Sequence, residues 1–209
     1  MVRSTVVSCS TPECMDSLSL LTYVSINQYN MPERSSQVNQ MKKMYKSATK
    51  VIIWLGPGTT DKTTTVAIES IRNFTNFICT KLGLTLSELQ DFNDVYEEVM
   101  LRNRHKLPRP DKCDFVTEAS WAPLKWFYSH QYFTRAWVIQ EINANRNCLL
   151  YCGQETIDWI QIHVVAAYFI METAWSKAFG FSSTFCWSIS TVSGAVSYTH
   201  LTLPTILRV

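Results

Sequence analysis

The sequence is short of several things, and each shortage removes a class of protein. Charged residues make up only 17% of its 209 positions, and the net charge is +2. Lys and Arg are spread along the chain, which gives no basis for a nucleic acid or an anionic membrane surface as partner. Long apolar runs are missing too. None reaches the roughly 18 to 20 residues of a membrane-crossing helix, and the nearest, Val164 to Met171, is preceded by His163. The first residues lack the basic start and apolar centre of a secretory signal. The seven cysteines have no framework spacing. Neither Cys9 with Cys14 nor Cys148 with Cys152 has the short spacing of zinc ligands, and the His residues are isolated, so no metal site is expected. An odd cysteine count fits a reducing compartment. The expected location is the cytoplasm, where the sequon Asn73, Phe74, Thr75 stays unglycosylated. What remains is a globular composition, 46% hydrophobic and 12% aromatic, long enough for one domain with a real core.

The most informative stretch runs from Leu20 to Gly56. It opens with a β-rich run, Leu20 to Ile26, and closes with another, Lys50 to Leu55. Between them Val38, Met41, Tyr45 and Ala48 recur at three and four residues, one face of a helix, with Lys42, Lys43 and Lys46 mostly off it. Asn30 can cap that helix, Pro32 suits its first turn, and Glu33 completes a capping-box spacing. Strand, helix and strand in this order predict a βαβ crossover and hence two parallel strands of one sheet.

Elsewhere the patterns predict helices over Thr64 to Leu82, Thr85 to Leu101, Trp121 to His130, Phe133 to Asn143 and Ile157 to Trp175. A strand is predicted at Asn147 to Tyr151, closed by Cys152 and Gly153, a turn-rich connector at GPGTTDKTTT, 56–65, and a loop, with its two prolines, at 106–110. Residues 1–19 are weakly patterned, although Val2 to Cys9 can form a short strand. Val196 to Thr205, VSYTHLTLPT, resembles the translated read-through of a sequencing-library adapter. Residues 196–209 are therefore set aside, and the native frame is expected to continue differently beyond about Gly194.

Two blocks carry a family resemblance. SINQ, ER, QV, a Met, a Tyr, an Ala and WLG within residues 25–56, followed by YFTRAWVIQEINANRNCLLYCG from Tyr132 to Gly153, resemble the signatures of the fungal heterokaryon-incompatibility (HET) domain. They cover about a third of the chain, in the family's order. Two departures stand out. The family's opening Tyr-x-Ala-Leu-Ser-Tyr-x-Trp-Gly-like motif has no match. The Asp-Ala-x-Cys that usually precedes INQ has Thr22, Tyr23 and Ser25 at its defined positions, so a carboxylate is lost from the strand edge.

The resemblance implies an α/β fold, flavodoxin-like and similar to TIR domains: a parallel sheet spanning a partial domain at 20–195, with a helical insertion at about 64–130. The usually central first strand would then be missing. Leu20–Ile26 and Val51–Leu55 should pair directly, or Val2–Cys9 should substitute, or the chain should be only marginally stable.

In an open parallel sheet, ligands sit beyond the carboxyl ends of the strands. Asn27 and Gln28, the glycine loop Gly56 to Gly58, and Cys152 to Gln154 would meet there. Asn and Gln offer donors and acceptors, and Gly56 allows close backbone approach. The plain alternative is that Asn27 and Gln28 only cap a turn. Trp137 and Glu141, four residues apart, share a helical face. NAD-cleaving TIR domains carry such a Trp-x-x-x-Glu, and by that resemblance Glu141 would hold the ribose and stabilise the cationic sugar as nicotinamide leaves, with Arg135 neutralising phosphate. The plain alternative makes Trp137 core and Glu141 a surface ion-pair partner. No resident cofactor is implied; NAD would be substrate. GPGTTDKT follows a strand and precedes a helix as a phosphate-binding loop does, but Asp61 stands where the second glycine belongs and would repel phosphate. The function implied is signalling in fungal non-self recognition and cell death, with a sensor protein or like domains as partners. The alternative is a catalytically silent module that assembles by homotypic contact.

Overall fold

Alternation of apolar side chains builds the sheet. In the computed structural model, which describes residues 5–8, 43–92, 94–134, 142 and 145–171, there are four strands. They are β1 (Thr5–Ser8), β2 (Lys50–Trp54), β3 (Cys148–Cys152) and β4 (Glu155–Asp158), in the order β1-β2-β3-β4. Val51, Ile53, Cys148, Leu150, Cys152 and Ile157 are buried. Their every-other-residue spacing gives one apolar face. On the opposite face Trp54 is 40% exposed.

The central pair is parallel, as expected of Val51–Leu55 and Asn147–Tyr151 in one parallel sheet: Val51 lies opposite Cys148 and Ile53 opposite Leu150. The outer pairs are antiparallel, so the sheet is mixed, not wholly parallel. β1 takes the place beside β2, with Val7 opposite Val51, the substitution by Val2–Cys9 that the sequence left open. β4 follows β3 through Gly153 and Gln154, and so tight a turn can only return the chain antiparallel. It corrects the expected start of the last helix, since Ile157 is a strand residue opposite Leu150. The expected strand Leu20–Ile26 lies outside the described residues.

Residues 43–47 are helical, with Tyr45 and Ala48 buried and Lys43 and Lys46 exposed, as the spacing predicts. The carbonyls at the end of a helix lack partners within it. Here Asn145 Nδ2 donates to Tyr45 O (3.1 Å) and Ala48 O (2.6 Å), and Asn147 Nδ2 donates to Thr49 O (2.8 Å). These amides fasten the start of β3 to the start of β2.

The chain forms two compact units. One holds the strands with residues 43–64 and 145–159; the other holds 65–134 and 160–171. The helix α1 (Thr63–Leu82) leads from the first into the second. It ends at Gly83, φ +68°, where Leu84 N donates to Cys79 O at 3.0 Å; the left-handed glycine and six-to-one bond form a Schellman stop. The predicted helix Thr85–Leu101 is in fact two. α2 (Leu86–Asp91) starts from a capping box between Thr85 and Glu88, and Phe92 is extended. Asp94 then accepts from Glu97 N (3.0 Å) and opens a π-helix, Val95–Leu101. A side chain that caps a new start ends the old helix.

α3 (Glu118–Tyr128) and α4 (Trp159–Met171) complete the described helices. α4 has no charged residue, and Ile162 and Val164 to Phe169 are fully buried, the pattern of a helix enclosed on nearly all sides. Aromatic packing defines the second unit's core. Phe74 of α1 meets Phe169 and Phe115 edge-on, each at 5.0 Å, with Trp121 at 5.9 Å and Tyr168 at 6.0 Å. The Tyr168 hydroxyl donates to Pro108 O and lies 3.6 Å from Cys113 Sγ, pinning the two-proline loop. No helix among the described residues is long and apolar enough to cross a membrane.

Candidate functional site

Because β2 and β3 run in the same direction, their carboxyl ends share a rim, and the hydrogen-bond ladder continues into the loops beyond. Leu55 N donates to Tyr151 O and Gly153 N to Gly56 O, both at 2.8 Å. Glycine is required at Gly153. Its φ is +62°, and a Cβ there would stand 2.6 Å from Pro57 O and 3.6 Å from Gly58 Cα. Backbone meets backbone at this point, with no room for a side chain between the loops. Gly56 has φ +124° and nothing near its missing Cβ.

The next residues turn into α1 through two threonines. Thr59 N donates to Thr64 Oγ1 (2.8 Å), Thr64 N donates to Thr59 Oγ1 (3.0 Å), and the hydroxyls lie 3.0 Å apart. Thr64 is only 4% exposed. Each side chain thus satisfies the other's amide, a reciprocal lock at the helix entrance. Thr63 N donates to Asp61 Oδ1 (3.1 Å), and the Thr63 hydrogen bonds hold the Asp61 carboxyl below its ordinary range. A carboxylate therefore occupies the helix N-terminus where a phosphate would need the amides, in agreement with the sequence argument against a phosphate-binding loop. Burial pushes the Cys152 thiol up, against a smaller opposing effect of a Thr64 hydrogen bond. It stays protonated at neutral pH and is a poor nucleophile. Among the described residues no three His, Cys, Asp or Glu side chains are grouped to hold a metal ion.

Of the loop tips expected at the rim, the structure brings together Gly56 to Gly58 and Cys152 to Gln154. Gly56 is the member of the candidate site that is described. Asn27, Gln28, Arg135, Trp137 and Glu141 lie outside the described residues. Sequence reading missed the Thr59–Thr64 lock: in GTTDKTTT five threonines compete for the role, and spacing alone does not select two.

A mixed sheet with a parallel centre, a glycine-lined rim and helices after the strands make this an α/β domain. It belongs to the heterokaryon incompatibility protein (HET) family, whose model matches residues 22–141. A curated relative is heterokaryon incompatibility protein 6, OR allele, of Neurospora crassa, 25% identical over 148 residues. The match covers 64% of this chain and 20% of the relative, so the chain spans about a fifth of that protein's length. No solved structure matches the chain.

Proposed function

We propose that this chain is a signalling domain of fungal non-self recognition, similar in organisation to TIR domains, which triggers cell death when a sensor partner detects an incompatible allele. Its activity on this reading is cleavage of NAD at the rim beyond β2 and β3. The observation that carries it is the meeting of two glycine loops at the carboxyl ends of parallel strands, where α/β sheets take nucleotide ligands. Glu141 would stabilise the cationic ribose as nicotinamide leaves, Trp137 would wall the pocket, and Arg135 would face phosphate. Asn27 and Gln28 would supply hydrogen bonds and Gly56 a close backbone approach. Incubation of the domain with NAD tests this: free nicotinamide is expected, and Glu141→Ala should lower its release by about 100-fold or more, as loss of an electrostatic stabiliser does.

One observation favours a second, catalytically silent reading. Polar side chains in the loop beyond β2 are engaged locally, Thr59 with Thr64 and the Asp61 carboxylate with Thr63 N. No nicotinamide release at high protein concentration would select that reading, in which the domain works by contact with its like.

A further inference from the structure

Charge is segregated along the second unit in a way the near-neutral total conceals. From Glu88 to Glu98 there are five carboxylates and no Lys or Arg; from Arg102 to Lys112 there are five cations and one carboxylate, Asp111. The π-helix Val95–Leu101 joins the two stretches. Asp94 caps its start, Glu97 and Glu98 lie in its first turn, and Arg102 follows at its C-terminal cap. Acids at the amino end and cations at the carboxyl end both complement the helix dipole, so the element itself favours an acidic end and a basic end.

Both ends reach solvent. Glu88, Asp91 and Glu97 are exposed, as are Arg102, Arg104, Lys106, Arg109 and Lys112. The basic end has a fixed shape, built from short turns at Arg104–Lys106 and Pro110–Lys112. Buried Leu107 and Pro110 and the Tyr168 bond to Pro108 O anchor it. Arg109 grips Asp111 through both carboxylate oxygens, at 3.0 and 2.7 Å. Leu101, 43% exposed at the junction, offers apolar area between the charged ends.

We infer that this is a self-association surface whose occupant is a second copy of the chain, turned by a two-fold axis so that each acidic end lies on the other's basic end. Both halves of the complementary pair are present on one chain, and a two-fold arrangement makes each contact twice. A phosphate-rich partner would use only the cations and would be opposed by the carboxylates beside them. A net charge of +2 also leaves little long-range repulsion between copies. The surface deepens the assembly reading and is independent of NAD cleavage, since nicotinamide release reports on the rim and mass in solution reports on this unit.

Sedimentation velocity of the chain tests it. At about 10 mM salt, where the screening length is ~30 Å, dimer is expected; at about 1 M, where it is ~3 Å, monomer. Lys106→Glu with Lys112→Glu, and separately Asp91→Lys with Glu97→Lys, should each give monomer at low salt with an unchanged circular-dichroism spectrum. Mixing the two variants should restore dimer, because each then presents the sign the other needs. A chain monomeric at every concentration in low salt overturns the inference. So do variants that stay monomeric on mixing, and self-association that charge reversal leaves unaltered.

Discussion

Gly153 carries more of the rim than any other described residue. Its left-handed conformation alone costs an alanine about 1–2 kcal/mol, and the Cβ would meet a backbone oxygen, Pro57 O at 2.6 Å, that cannot swing aside as a side chain does. Gly153→Ala is therefore expected to lower stability by at least that amount, read as a drop in the urea midpoint. Gly56→Ala meets no neighbour and should incur the conformational penalty without the collision. At the helix entrance, Thr64→Val removes the acceptor of Thr59 N. The Thr59 amide is partly buried, so the loss should fall toward the low end of about 1–3 kcal/mol, the cost of an unpartnered buried group, and the same denaturant titration should show it, whereas Thr64→Ser keeps the oxygen and should lose less.

Among the elements, the aromatic contacts of α1 fix what holds the second unit. Phe74 is fully buried and its ring contacts reach the 115–121 segment and α4. Phe74→Ala should cost about 3–5 kcal/mol, the usual loss for a core phenylalanine, measured by thermal unfolding. α3 and α4 are joined by Tyr128, whose hydroxyl donates to Ile162 O at 3.0 Å. Burial pushes its phenol well above the ordinary value. An unfolded tyrosine loses its proton near pH 10, while the folded one keeps it, so the unfolded state binds fewer protons there and stability falls as pH rises through that region. Tyr128→Phe should be less stable at pH 7 and show a shallower decline above pH 10.

How far the sequence reaches is visible in the same elements. β2 and β3 are short apolar runs stopped by glycine, and a glycine stop after a β-branched or aromatic run is a strong signal; both were legible to within a residue or two. β4, with Glu155, Thr156 and Asp158 around one apolar Ile157, offers no run to read. Its signal was the Gly-Gln pair after β3, a hairpin turn hidden by the helical spacing that begins at Ile157. The break between α2 and the π-helix was obscured because Leu86, Leu89, Phe92 and Val95 keep one helical period across it. The capping side chain of Asp94 overrides that period, and a single Asp announces little in a stretch already rich in acids.

At the scale of the whole molecule, the buried thiols report on folding as a unit. Cys113, Cys148 and Cys152 are buried and in no disulfide, and burial is the main cause that raises the Cys113 and Cys152 thiols. Their modification by a thiol reagent should be slow in native buffer and rise with denaturant in step with loss of circular dichroism, checked by mass spectrometry of the labelled peptides. Labelling of Cys148 and Cys152 ahead of Cys113 would show that the strands open before the aromatic core.

The interleaving of the two units along the chain bears on how such a gene can change. The backbone passes between them after residues 64, 134 and 159, so no single crossover between alleles delivers either unit whole. Any such exchange splices strands or helices of one parent into the other's core, and only closely matched alleles would survive it. Variation gained by recombination should then collect in solvent-facing turns such as Arg104–Lys106, leaving Phe74 and Gly153 unchanged.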